Sequence, residues 1–181
     1  QLNLPDCSIL ALVTRAIYKQ QAIQIQYRSL SNGLTQRDIV PHTLVDNGLR
    51  WHVRGFDRSR QHFADFVINR MEHVSLLEGF VTESEAKAAD QQWQQTIELD
   101  LRPHPSLAHP ETIEREYNMQ NGRLTVPVRA AVAGYVLRRW NVDCSSDHRL
   151  CGPEYPLWLQ NTQTLAGIEN VLLAPGYAMS A

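Results

Sequence analysis

A mainly β domain followed by a small α+β domain is the architecture this sequence predicts, and three observations carry the prediction. Between Ile23 and Leu77 apolar residues recur with a period of two, separated by tight-turn signals. Thr82-Glu83-Ser84-Glu85 then interrupts that pattern with a capping-box signature. Beyond residue 95, strand-like and helix-like stretches alternate over short spans.

Taken in order, Ile9, Leu12, Val13, Ala16 and Ile17 recur at helical spacing, so a helix capped by Asp6 or Ser8 runs to Gln20 and packs on the β domain. From Ala22 the period becomes two: Ile23, Ile25 and Tyr27 share one face of a strand, and Gln24, Gln26 and Arg28 the other. Asn32-Gly33 marks a hairpin turn, and Asp46-Asn47-Gly48 and Asp57-Arg58-Ser59 punctuate the next two connections. That makes about five short strands, which close into a small barrel because closure removes exposed sheet edges. After the capping box an Ala-rich helix to Trp93 is expected as a connector, dividing the chain into a first domain over 1–80, the connector over 81–94 and a second domain over 95–181. There TIELDLRPH alternates as a strand, Pro110 suits the first turn of a helix ETIEREYNM, and Gly122 to Ala130 reads as a strand that Pro127 confines to an edge or a bulge. Ala131 to Trp140 reads as a compact helix, Leu157 to Gln160 as a strand, and Ile168 to Leu173 as an apolar segment without a clear period.

Of the 181 residues 43% are hydrophobic, which suits one large or two small folded domains and argues against disorder. No apolar run approaches the roughly 20 residues a bilayer requires, and the first residues lack a signal-peptide pattern, so a cytoplasmic setting is expected. Cys7, Cys144 and Cys151 are odd in number and unclustered, which reads as reduced packing residues. The net charge of -2 excludes DNA binding by bulk charge and leaves only a local patch. Of the 17 basic residues all but Lys19 and Lys87 are arginine, the side chain whose planar fork matches phosphate oxygens. Codon bias explains that excess equally well.

Arg28, Arg37, Arg54 and Arg70 fall on or beside the predicted strands, where their guanidinium groups can gather into an anion-binding patch. Tyr27 and Ser29 point to one side and Arg28 to the other, so Tyr27 is either a core residue or, with Ser29, part of a pocket. Arg37 lies on the returning strand. Pro41-His42 bends the chain and leaves an imidazole near a strand end, as a phosphate donor or a cap. In RWHVRGFD the alternation puts Trp51 and Val53 in the core and His52 and Arg54 on a surface or pocket face, with Gly55 allowing close backbone approach or a bulge and Asp57 starting the next turn. Arg70 ends the fourth strand and returns toward the same rim, and Phe63 joins Tyr27, Trp51 and Phe56 as a stacking surface. Arg138 and Arg139 end a helix, where cations meet the dipole; with Arg129 they are either a solvated face or a second anion contact. Ser29, His42 and Asp57 supply the residue types of a hydrolase, but no local motif supports them, and the prolines around His104 and His109 spoil metal-ligand spacing. No enzyme, cofactor or metal is expected.

Tyr27-Arg28-Ser29, Arg37, Pro41-His42, RWHVRGFD and the run from Phe63 to Arg70 together resemble the WYL domain, with Trp51-His52-Val53 at the signature tripeptide matching it at the tryptophan. The remainder is similar to the WCX extension that follows WYL in bacterial transcription regulators. The resemblance implies an Sm-like, SH3-type barrel followed by a ferredoxin-like domain. It implies a basic pocket formed by Tyr27, Ser29, Arg37, His42, His52, Arg54, Phe63 and Arg70, which takes a nucleotide or single-stranded nucleic acid as effector. It further implies a homodimeric repressor, of phage-defence or DNA-damage genes, that reaches operator DNA through a winged helix-turn-helix outside this sequence. A constitutive Sm-like RNA- or protein-binding module without switching is the alternative.

Overall fold

Helix α1 (Cys7–Lys19) opens the chain in the computed structural model, which describes residues 4–178. Asp6 caps it: its carboxylate accepts the backbone N–H of Ser8 at 2.7 Å and of Ile9 at 3.3 Å, and also the Ser8 hydroxyl. Gln20, left-handed at φ 51°, ends it. Val13 and Ala16 are fully buried, so the helical stripe packs on the sheet as its spacing predicts.

Five antiparallel strands follow: β1 (Ile23–Ser29), β2 (Gly33–Asp46), β3 (Trp51–Asp57), β4 (His62–Val67) and β5 (Met71–Leu76). They are ordered β4-β3-β2-β1-β5, with Ile23, Ile25, Tyr27, Ile39, Val53, Phe66 and Met71 forming a core with α1. The expected closed barrel is not formed by hydrogen bonding. β4 and β5 are the two ends of the sheet, and the short 3-10 turn Ile68–Arg70 between them delivers β5 to β1. Arg70 therefore ends this turn, not the fourth strand.

At Pro41-His42 the chain does not break. β2 runs through as a 14-residue strand, and the register against β3 shifts between Pro41 and Thr43, so His42 is the extra residue of a bulge. Gly55 faces that spot: a Cβ there would lie 2.5 Å from the Val40 carbonyl oxygen and 2.8 Å from Pro41 Cα. Trp51, expected in the core, is only half-buried, whereas Val53 is fully enclosed. Trp51 pairs with Asp46 at the last rung of β2, past the end of the core.

The capping box at Thr82 forms, with the Thr82 N–H donating to Glu85 Oε2 at 2.9 Å, yet no connector helix grows from it. Residues 83–85 and 87–89 are separate 3-10 turns, Ala86 is extended, and only α2 (Gln91–Gln94) is helical. Two carboxylates, Glu85 and Asp90, are drawn to Arg58, just past β3, and to Arg54 within it, and Leu77, Val81 and Phe63 pack on Ala22, Val40 and Phe56. Residues 77–90 thus form a strap belonging to the first of two compact units, which ends at Asp90; the second begins at Gln91.

The second unit is a four-stranded sheet with helices, which is α+β. β6 (Thr96–Pro103), β7 (Leu124–Arg129), β8 (Val142–Asp143) and β9 (Leu157–Leu159) take the order β7-β6-β9-β8, with β8 and β9 parallel. β7 is an edge strand, as Pro127 requires. Helix α3 (Pro110–Glu116) starts on its proline and stops before left-handed Asn118, and α4 (Ala133–Arg139) follows a 3-10 turn. Leu99, Leu101, Leu137, Val142, Leu157 and Leu159 make a core separate from that of the first unit. β8 is too short to show a period in sequence. All three cysteines are free, but only Cys144 is a packing residue, its thiol pKa pushed up by burial and then by Asp143; Cys7 and Cys151 are exposed.

Candidate anion-binding site

Alternation along β3 assigns its side chains to two faces. Val53 points into the core, while His52, Arg54 and Phe56 point the other way. β4 matches: Asp65 stands beside Arg54, and Phe63 beside Phe56. The bulge turns His42 onto this same face, where its ring meets that of Phe63 edge-on at 5.8 Å. Five of the eight anticipated pocket residues are thereby brought together: His42, His52, Arg54 and Phe63 on this face, and Arg70 beside His52.

Arg54 is 2% exposed and its guanidinium is fully engaged. Nε donates to Asp90 Oδ2 at 2.6 Å and Nη2 to Asp90 Oδ1 at 3.0 Å, a bidentate fork, while Nη1 reaches Asp65 Oδ1 at 3.3 Å. Nε2 of His42 lies 3.0 Å from the same Asp90 Oδ2, and its Nδ1 2.9 Å from Thr43 Oγ1. A cation this deeply buried needs such partners, because removing one side of a buried pair costs about 3–5 kcal/mol.

The other end of the row holds His52 with Arg50 and Arg70. His52 is 5% exposed, and burial pushes its pKa below the ordinary 6.5; Asp65 opposes that, and the Arg50 and Arg70 guanidiniums reinforce it. Arg50 is not among the anticipated site residues, although it continues the alternation Arg50, His52, Arg54 that could have revealed it. Its Nε is buried without a hydrogen-bond partner among the described residues. Arg70 is half-buried and takes no ion-pair partner there. A neutral imidazole flanked by two arginines, one with a buried donor that no described residue satisfies, is a place where an anion gains contacts that carboxylates do not already supply.

The remaining anticipated residues lie elsewhere. Tyr27 is a core residue whose hydroxyl accepts the Val67 N–H at 3.1 Å and whose ring meets Phe66 edge-on. Ser29 accepts the Asn32 N–H at 2.9 Å inside the hairpin turn. Arg37 lies on the core side of the sheet, beside Ile25, and reaches Asp57 at 3.3 Å; Asp57 also accepts from the Ser59 and Arg60 N–H groups, the turn-starting role expected of it. Ser29, His42 and Asp57 therefore do not converge. In the second unit Arg129 donates to the Trp93 and Gln94 carbonyls and stacks over the Trp93 ring at 5.9 Å, whereas Arg138 and Arg139 are exposed at the end of α4. Arg58, also not anticipated, grips Glu85 from the turn after β3, Nε to Oε1 at 2.7 Å and Nη2 to Oε2 at 3.0 Å, which holds that carboxyl below its usual range.

Comparison with known proteins assigns the two halves separately. Residues 8–76 match the WYL domain, and residues 96–165 match the BrxR transcriptional regulator C-terminal dimerization domain. Proteins named DNA-binding transcriptional repressor CapW are similar over most of the chain: one from Escherichia coli (strain KTE188) at 29% identity over 80% of this chain and 48% of its own length, and one from Stenotrophomonas maltophilia at 32% over 74% and 45%. A third, from Pseudomonas aeruginosa, is 31% identical over 76% of this chain and 46% of its own length. The chain spans about half the length of the curated relatives it matches. Among solved structures, proteasome accessory factor B/C (PafBC) of Arthrobacter aurescens aligns with a TM-score of 0.42 at 18% identity, over 92% of this chain and 27% of that one. No helix among the described residues is long and apolar enough to cross a membrane.

Proposed function

Because the chain carries a WYL domain followed by a BrxR-type dimerization domain, and so belongs with the WYL-domain transcriptional regulators, we propose that it is the effector-sensing and dimerising region of a repressor of the CapW kind. Its effector is a phosphate-bearing molecule, a nucleotide or a single-stranded nucleic acid, held at the Arg50, His52 and Arg70 end of the β3 row. The observation that carries this reading is the buried Nε of Arg50 without a partner, beside an imidazole kept neutral by burial. Arg54, His42 and Phe63 complete the same face. Operator DNA is reached through a part of the protein outside this sequence, and the target genes are those of phage defence or DNA damage. We read the first unit as an opened Sm-like barrel, supported by its leading helix and strand order, and the second as a ferredoxin-like variant.

Anisotropy of a fluorescein-labelled decathymidylate tests the effector class. Wild type should bind it with an affinity that falls with salt, and Arg70→Ala or Arg50→Ala should weaken binding and reduce the log–log salt slope by about 0.7 for each phosphate that is no longer paired. Binding that is indifferent to salt and to both substitutions would remove these arginines from the site.

A further inference from the structure

The strap over 77–90 is attached to the rest of its unit by two matched ion pairs, besides hydrogen bonds of Leu77 to Ala22 and Gln21 at its start and of Arg58 to the Phe80 carbonyl. Asp90 fills the fork of Arg54 with both carboxylate oxygens, and Glu85 fills the fork of Arg58 with both of its own. Asp90 is 1% exposed and Glu85 8%, so neither is a solvated surface pair. Planar bidentate pairing with a carboxylate has the geometry that guanidinium also offers to two phosphate oxygens. The strap therefore carries one anion at Arg54, on the face where the effector is placed, and the other at Arg58, in the turn that follows β3.

The rest of the strap is held weakly by comparison. Its regular structure is two 3-10 turns of three residues each, separated by extended Ala86. Its apolar anchors are Leu77 and Val81, both only partly buried, while Phe80 is 96% exposed. A segment with few buried apolar contacts and no long hydrogen-bonded element opens at low cost once its polar attachments are exchanged.

Resting on the effector reading above, we propose that the strap is a displaceable internal anion: Asp90 and Glu85 occupy Arg54 and Arg58 in the effector-free state, and a phosphate-bearing effector takes those guanidiniums and lifts the strap. No charge is stranded in the exchange. Each cation, Arg54 buried and Arg58 half-buried, passes from a carboxylate to a phosphate, and the two strap carboxylates pass to water. The residue after Asp90 opens the second unit, so the strap that is released ends where the second unit begins. The effector then binds two states with different affinity, which a switch requires. The geometry also assigns Arg58 a place in effector recognition.

The test uses the whole chain with labelled decathymidylate as probe. Asp90→Asn and Glu85→Gln each keep the shape of the side chain and remove its charge. Each should bind the probe about tenfold more tightly than wild type, because the fraction of molecules with an open fork rises. In wild type, saturating probe should accelerate amide hydrogen exchange across 77–90. Should Asp90→Asn fail to fold, Glu85→Gln and the wild-type exchange measurement still decide the matter. Probe binding with unchanged exchange in the strap, or with no gain in either variant, overturns the strap proposal and leaves the effector reading standing. Wild type and both variants all failing to bind decathymidylate and inorganic pyrophosphate overturns the effector reading, and the strap proposal with it.

Discussion

Arg37 and Arg54 both end on carboxylates, Asp57 and Asp90, that lie 20 and 36 residues away along the chain. Nothing local in the sequence announces those pairings, because they are created when strands and strap fold onto one another. What alternation does announce is the face: it places His52 and Arg54 opposite Val53 and, carried back two residues, includes Arg50. Tyr27 follows the same rule, since the strand that buries Ile23 and Ile25 buries it too, to 9% exposure. His52 gives a prediction at this scale. Its pKa is depressed in the folded chain, by burial first, so below about pH 6.5 the unfolded state binds a proton that the folded state refuses. Stability from this group is complete above that pH and declines as pH falls through the window toward the folded pKa. Thermal midpoints at about pH 7.5 and about pH 5.5 should therefore diverge more in wild type than in His52→Gln. Equal divergence in the two proteins would mean that His52 is protonated as easily in the fold as outside it.

Elements with a strong period are legible in the sequence, and elements without one are not. α1, β1, the three turns and the edge position of β7 follow from spacing, Asn-Gly or Asp-rich turn chemistry and one proline. The strap reads as a helix because Thr82 to Glu85 supplies a genuine start signal, and the alanines after it favour a helix by propensity alone. Tertiary pairing of Glu85 and Asp90 with Arg58 and Arg54 overrides that propensity. β2 shows the opposite case, a strand that survives a proline because the bulge at His42 absorbs it. The bulge depends on Gly55, across which β2 and β3 approach so closely that a methyl group would strike the Val40 carbonyl and Pro41 Cα, both main-chain atoms. Gly55→Ala should therefore destabilise the first unit by about 1–3 kcal/mol, the usual cost of forced overpacking. Each kcal/mol lowers the melting midpoint of a unit this size by roughly 4–8 °C. A melting midpoint equal to wild type would show that the two strands have room to separate at the bulge.

At the scale of the molecule, the change of pattern after residue 80 falls within the strap, ten residues before the compact units divide at Asp90 and Gln91, while what each unit assembles with is a matter of surfaces that periodicity does not encode. Each unit has a core of its own, built around Ile23, Ile25 and Val53 in the first and around Leu99, Leu137 and Leu159 in the second. Each of these clusters is made of residues of its own unit, so each unit should fold when expressed alone. The match of residues 96–165 to a dimerization domain makes the second unit the place to look for self-association. A two-fold dimer presents the same patch from both copies and suits a pair of DNA-binding domains reading a palindromic operator. Light scattering should accordingly return twice the chain mass for 1–181, twice its own mass for 91–181, and a single mass for 1–90. A dimeric 1–181 beside a monomeric 91–181 would move the interface onto the first unit. The strap and its arginines belong to that unit, so the interface would then lie on the same unit as the proposed effector site, and effector titration would change the dimer's stability directly.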